Sequence, residues 1–273
     1  MNHLHRELAP VSDAGWAEIE KEAKRTLHTL LAARRIVDFR GPLGWTVSQA
    51  EIGRSEAIES PRAPQLQARL RKVQPLVELR VPFEMSRSEL DAVDRGARDP
   101  DVDAVTAAAR EIAIAEDRAV FHGYGAAGIT GICEAQADAA VALGTSHASY
   151  PDAVASALSK LRDDGVEGPF AVALSERLYR DLAARTEGGY PMLSHVQRLI
   201  DGPVVWAPGL EGGLVISQRG GDYELTVGQD FSIGYLDHSA DKVRLYIEES
   251  FTFLILSKQA ARPLVASSSA KRS

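Results

Sequence analysis

Residues 47–75 constrain the chain most. They carry Glu51, Arg54, Glu56, Glu59, Arg62, Arg69, Arg71 and Lys72, with Pro61 and Pro64 among them, and few large apolar side chains. A stretch this polar cannot enter a core. A long excursion of this kind inside a compact domain is uncommon unless it has a role. Three readings stand: a binding arm, an arm that reaches another subunit, or a solvated loop.

Ordered patterning flanks the excursion. Upstream, Trp16, Ile19, Ala23, Leu27, Leu30 and Leu31 recur at helical spacing, which predicts a helix over 12–35. Ser12 is placed to cap it, Val11 to staple onto Trp16, and Arg34 and Arg35 to meet the dipole of its last turn. Downstream, Val77-Glu78-Leu79-Arg80-Val81 alternates as a half-buried strand running on to Phe83 and Met85. Pro82 argues for an edge position or a strand end. Ser86 and Glu89 have the spacing of a capping box for a short helix. A second long helix is predicted over 103–122 on Val105, Ala108, Ile112, Ala115, Ala119 and Val120.

Residues 150–218 read as an α/β unit. Helices are expected over about 151–163, from Ser175 to about 185 and up to about 200, with strands at 170–174, 204–206 and 214–216. Beyond Gly220-Gly221 the chain turns mostly to β structure, at 223–227, 231–235 and 243–256, before a Ser-rich tail over 266–273 expected to be disordered.

Composition narrows the chemistry. Lys and Arg total 31 against 38 Asp and Glu, for a formal charge of -7. A chain that neutralised phosphates would be expected to carry a basic surface, so nucleic acid is not an expected partner. The single cysteine, Cys133, excludes an intrachain disulfide and fits a reducing, cytoplasmic setting. Residues 1–10 lack an apolar core, so no secretory signal is expected there, and no run approaches bilayer-spanning length.

Catalytic motifs fail one by one. Gly123-Tyr124-Gly125-Ala126-Ala127-Gly128 fits G-x-G-x-x-G, but a helix precedes it where a dinucleotide site needs a strand; the better reading is a helix C-cap. The histidines His3, His5, His28, His122, His147, His195 and His238 show no metal-ligand spacing. Asp237-His238-Ser239 is consecutive, hence turn chemistry rather than a triad. Cys133 reads as an inert thiol. An amphipathic terminal helix, a polar arm and a sheet-rich end around an inserted α/β unit are the features of an assembly protein.

Three long stretches carry a family resemblance: Arg219–Leu225, Gly228–Tyr235 and Val243–Phe253. They are similar to the C-terminal signature of encapsulin shell proteins. Phe39–Trp45, Leu76–Arg80 and Gly165–Phe170 support the likeness, in order, from about residue 1 to 264. The resemblance implies an α+β, HK97 phage capsid-like fold. Residues 1–46 would supply the N-terminal helix and arm, 47–75 the E-loop, 76–134 the P-domain with its spine helix, 135–222 the A-domain, 223–264 the P-domain return strands and 265–273 the tail. The chain would be a tile of an icosahedral 60-mer, closed and without free interfaces, and not an enzyme.

The resemblance also implies a cargo. A dye-decolorising peroxidase or a ferritin-like protein, hence peroxide chemistry or iron storage, would be enclosed through a short apolar peptide. Leu31, Arg34 and Asp38 would border its pocket, with Leu236 and Ile247 contributed by the C-terminal sheet. Glu187, Gly188, Gly189, Tyr190 and Pro191 would face the five-fold axis. Relatives that bind flavin use a tryptophan where this chain has Ser86-Arg87-Ser88, so no cofactor is expected. The competing readings are a prophage or viral major capsid protein, and a secreted bacteriocin or protease.

Overall fold

A computed structural model describes residues 3–60, 62, 65–144, 149–187 and 190–266. Helix α1 (Asp13–Leu30) begins as its sequence predicts, with the Ser12 hydroxyl accepting the Gly15 N–H at 3.0 Å. It buries Trp16, Ile19, Ala23, Leu27 and Leu30. It ends earlier than the apolar spacing predicts. The carboxylate of Asp117 accepts the N–H groups of Ala32 at 3.0 Å and Ala33 at 2.9 Å, which gives these donors a partner outside the helix. The chain then makes a separate 3-10 turn, Ala33–Arg35. Arg34 and Arg35 therefore do not sit in the last turn of α1, and their expected interaction with its dipole is not made.

After β1 (Asp38–Arg40), the polar excursion forms a paired ribbon of β2 (Gln49–Ile58) and β3 (Ala68–Pro75). Its register shifts between Glu51 and Arg54, where Gly53 takes a positive φ of 66°. Ala50 is the one fully buried residue of the two strands. Polar cross-strand pairs do the remaining work: Lys72 with Glu56 at 2.7 Å, and Arg69 Nε donating to Ser55 Oγ at 3.0 Å.

Strand β4 (Val77–Ser86) follows, paired on one side with β13 (Lys242–Ile255). Pro82 is opposite Tyr246 on this edge strand, as proline's missing N–H requires. The predicted capping box does not form at α2 (Arg87–Asp94). Ser86 Oγ instead pairs with Ser88 Oγ at 2.7 Å, and Glu89 accepts the Asp101 N–H at 3.1 Å. Helix α3 (Asp103–His122) matches its predicted span and joins two cores. Val105 to Ala113 pack with α1 and β4, while Ala119, Val120 and Phe121 enter the other cluster. Gly123, at a φ of 90°, ends it; the G-x-G-x-x-G run is a helix exit with a 3-10 turn, Gly125–Ala127.

The second core is built from α4 (Ile132–Ala135), β5 (Val141–Leu143), α5 (Tyr150–Asp163), β6 (Phe170–Leu174), α6 (Glu176–Ala184), α7 (Met192–Leu199), β9 (Val204–Trp206) and β10 (Gly213–Ser217), and the short strands β7 (Thr186–Glu187) and β8 (Tyr190–Pro191) lie between α6 and α7 in the sequence. Ser175 caps α6 through Leu178 N–H at 3.5 Å. The chain returns through β11 (Tyr223–Val227) and β12 (Ser232–His238) to β13, then ends in β14 (Ala261–Ala266). The first sheet runs β1-β11-β13-β12 with β4 on β13; the second runs β5-β14-β10-β6-β9. The family resemblance groups 223–264 in one unit, whereas in the structure 261–264 join the second sheet, where β14 pairs with β10 and β5. Of the expected disordered tail, 265–266 are strand and 267–273 lie outside the described residues.

Asp117 is the hinge of this arrangement, tying the exit of α1 to α3. Burial, partly opposed by the two backbone N–H groups, pushes its carboxyl up to about 8. A carboxyl raised above its unfolded value of about 3.9 contributes least to stability once ionised, so its contribution falls between about pH 4 and pH 8. Asp117→Asn is expected to flatten that part of the stability profile. Thermal unfolding from pH 4 to 8 checks it; an unchanged slope refutes the assignment.

Candidate docking groove

Glu20, Ala23, Lys24, Leu27 and His28 on one face of α1, with Leu31 at its C-cap, form one wall of a groove of about 580 Å³. The opposite wall is Phe231, Ser232 and Ile233 at the start of β12, and Ile247 of β13 forms the floor. The spacing of the helix residues follows from a 3.6-residue turn, which stacks i, i+3, i+4 and i+7 along one side. Leu4 and Arg6 close one end, Arg34 and Asp230 the other.

The first end is held by the N-terminal segment. Tyr235 N–H donates to the Leu4 carbonyl at 2.9 Å. Arg6 pairs with Glu20 at 2.5 Å and lies 4.1 Å over the Trp16 ring. His3 stacks on Trp45 with centroids 3.9 Å apart, its Nε2 3.1 Å from the buried Glu248. Arg80 bonds the other oxygen of Glu248 at 2.6 Å and covers the Tyr246 ring at 4.1 Å. That ring crosses Gly234, where a Cβ would meet Tyr246 Cζ at 2.2 Å, so only glycine fits there.

The second end is ionic. Arg34 bonds Glu116 through Nη2 at 2.5 Å, Asp230 through Nη1 at 2.8 Å and Glu249 through Nη2 at 3.2 Å. Phe39 and Phe231 cover the guanidinium at 5.0 Å and 4.6 Å. Glu116 and Glu249 are both fully buried. Burial opposes the charge on Arg34, but the three carboxylates outweigh it and hold the guanidinium protonated beyond its ordinary value. Burial, reinforced by the neighbouring Glu116, pushes Glu249 well above the usual carboxylate range.

Of the residues selected from sequence, Leu31, Arg34 and Ile247 come together in the groove. Asp38 does not line it; its carboxylate accepts the Gly221 N–H at 2.6 Å and borders a small separate cavity with Gln218 and Tyr223. Arg34 and Asp38 do not pair with each other; Arg34 is held by acids from α3, β13 and the turn before β12. Leu236 is exposed beyond the groove on β12. Glu187 and Tyr190 face each other across β7 and β8, and Pro191 pairs with Thr186. Gly188 and Gly189 lie outside the described residues.

Sequence reasoning missed Glu116, Asp117, Asp230 and Glu249. Their signal was present: two consecutive acids within an alanine-rich helix, and Glu248-Glu249 within an apolar strand. Buried acids of this kind require partners. Elsewhere the chemistry is sparse. Burial pushes the Cys133 thiol up to about 12, away from the reactive thiolate. Among the described residues no group of three or more His, Cys, Asp and Glu could hold a metal ion, and no helix is long and apolar enough to cross a membrane.

Comparisons with known proteins agree in direction. A family model described as "Encapsulating protein for peroxidase" matches residues 1–252. A type 1 encapsulin shell protein of Rhodospirillum rubrum is 56% identical over 270 residues, covering 97% of this chain and 96% of that one. One from Mycolicibacterium paratuberculosis is 46% identical over 266 residues, covering 97% and 100%. A virus-like particle from Pyrococcus furiosus superposes with a TM-score of 0.62 at 14% identity, covering 91% of this chain and 98% of that one. The capsid of Myoviridae phage XM1 gives 0.54 at 12% identity, covering 87% and 92%. At such identities the two structures establish the fold, which is HK97-like.

The ionic end of the groove predicts its own failure. Arg34→Ala strands two buried glutamates and is expected to cost about 3–5 kcal/mol of stability near neutral pH. The loss should shrink towards pH 5 as protonation relieves the unpaired acids. Denaturation of the variant at pH 5 and pH 8 checks this, and an equal loss at both would refute it.

Proposed function

The chain belongs to the encapsulin family of shell proteins, and from that premise we propose that copies of it close into an icosahedral 60-mer around a cargo enzyme. The family's role is structural: the protein forms a capsid-like compartment and is not an enzyme. The particular reading offered here concerns how the shell closes and what it holds.

The ribbon of β2 and β3 is the E-loop. A two-stranded ribbon without a core is marginal by itself in water. Its Ile58, Leu66 and Leu70 are 48%, 51% and 53% exposed, so the arm offers apolar contact to a neighbouring subunit. Residues 76–134 with most of 223–264 make the P-domain, and 135–222 the A-domain, whose β7 and β8 border the five-fold axis. The compartment is cytoplasmic, where Cys133 stays reduced.

The groove beside α1 carries the cargo reading. Leu27, Leu31, Ile233 and Ile247 supply an apolar trough, with Phe231 and Arg34 at one end. Such a trough accepts an apolar peptide, and weak single contacts suffice when an oligomeric cargo presents several copies. Asp38 braces the chain behind Phe39, and Leu236 extends the same strand beyond the trough. A peroxidase is the favoured cargo, since the matching family is described as encapsulating a peroxidase, and one of the dye-decolorising type is our reading of it; a ferritin-like protein is the alternative.

Size-exclusion chromatography with negative-stain microscopy should show uniform hollow particles at physiological salt; a stable monomer or dimer would refute assembly. Particles filled with nuclease-protected nucleic acid would instead favour a viral capsid. Phe231→Ala combined with Leu31→Ala is expected to leave particles intact and cut co-purified cargo at least about tenfold. Leu236→Ala should change the yield little. Undiminished cargo in the double variant would remove the groove from docking.

A further inference from the structure

The β12 wall of the groove is a sheet edge, and its hydrogen bonding is incomplete at one residue. Strand β12 pairs only with β13 in the first sheet, in the register Ile233↔Ile247 and Tyr235↔Leu245. Tyr235 N–H donates away from β13, to the Leu4 carbonyl at 2.9 Å. Backbone groups alternate sides along a strand, so the N–H and C=O of Ile233 also point away from β13, into the groove. The opposite edge obeys the same parity. Tyr246 faces β12 with its backbone, which leaves its β4 partner Pro82 at an outward position where no N–H is needed.

Three successive positions on this edge differ in their partners. Phe231 N–H is taken by the Asp230 carboxylate at 2.9 Å, and Tyr235 N–H by Leu4. Ile233 lies between them, is 7% exposed, and its outward N–H and C=O have no partner among the described residues. Peptide groups so enclosed are almost always paired. The N-terminal segment has already added its Leu4 to this edge; the next outward position has no partner among the described residues.

We propose that the occupant of the groove binds as an added strand. Its backbone bonds to Ile233, and alternate side chains enter the trough formed by Leu27, Leu31 and Ile247. This rests on the cargo-docking reading and adds the conformation and sequence period of the ligand. Groove length sets its size. From Glu20 to Leu31 the α1 wall rises about 16 Å at 1.5 Å per residue. An extended chain advances about 3.3 Å per residue, so about five residues fill it. The ligand is a cargo segment of that length, apolar at every second position and polar or small between. Main-chain bonds give it affinity and the alternate pockets give it specificity. Lys24 and His28 have no ion pair among the described residues, and they form the α1 rim where the intervening side chains emerge.

The test uses assembled empty shells and a fluorescein-labelled peptide, Leu-Ser-Leu-Ser-Leu. It should bind about tenfold more tightly than Leu-Leu-Leu-Ser-Ser, which has the same composition without the period. N-methylation at single amides should weaken binding about tenfold at one parity only, the amides turned to Ile233, and little at the other. Uniform insensitivity with the parent still bound would overturn strand addition and leave the docking groove standing. Failure of the parent and the permuted peptide alike would overturn both. On the protein side, Ile233→Pro removes an N–H that β13 does not use, whereas Ile233→Val keeps it. About a tenfold loss for proline and little for valine is expected; equal affinity in both variants overturns the proposal. If the proline shells do not assemble, the N-methyl series decides alone. Hydrogen exchange completes the test. The Ile233 amide should be protected only when peptide is bound, and full protection in empty shells would mean that the shell's own chain fills the edge, ending the proposal.

Discussion

A single guanidinium surrounded by carboxylates holds the working surface together. Arg34 follows α1, Glu116 belongs to α3, Glu249 to β13 and Asp230 to the turn before β12. Each would be costly to bury alone. Together they fix the terminal helix against the sheet at a set distance, and the space left between them is the groove. Asp117 adds the backbone half of the same joint by taking the N–H groups of Ala32 and Ala33. Apolar packing could also bring α1 to α3, but it is non-directional. A charge-assisted lattice with four contributing elements admits one arrangement.

The rest of the chain divides its tasks by the kind of burial each part achieves. The second sheet is covered at its centre, where β6 and β10 are buried at every residue. The first sheet is covered on one side by α1 and α3 and ends in three strands that each pair along one side only. Strand β1 is just three residues long. Strand β4 is blunted by Pro82, and β12 is partly covered by the N-terminal segment. The ribbon of β2 and β3 has no core of its own. Such a subunit has surplus surface in particular places, and a closed assembly of equivalent copies is the arrangement that consumes it without leaving open ends to polymerise.

How much of this was legible in sequence depends on whether the determinants were local. Helix α3 and strand β6 were readable to the residue, because apolar period and length agree. The start of α1 was readable from Ser12. Its end was not, since the residue that ends it, Asp117, lies 84 positions away from Ala33 in the sequence. The capping box at Ser86 failed for a similar reason: Glu89 found the Asp101 N–H instead. The polar excursion was correctly excluded from the core, but its pairing as a ribbon depends on register that charge patterning does not reveal. In the groove, Leu31, Arg34 and Ile247 were reached through a family resemblance. The acids that hold Arg34 were not, although paired acids inside apolar segments are a sequence-level warning that a buried cation must be found.

Charge ties the groove to the assembly. The formal charge of -7 is repeated in every copy. Repulsion between exposed charges is screened within about 8–10 Å at physiological salt, so it acts mainly on groups near the contacts between copies. The acids of the Arg34 joint do not add to it in proportion, because Glu249 is driven towards its neutral form and Glu116 is paired. Placing part of the acidic content inside, against an arginine, lets the chain carry a directional joint beside the groove without raising in proportion the field that each new copy must approach. The residues that shape the groove thereby limit the electrostatic cost of closing a shell from such copies.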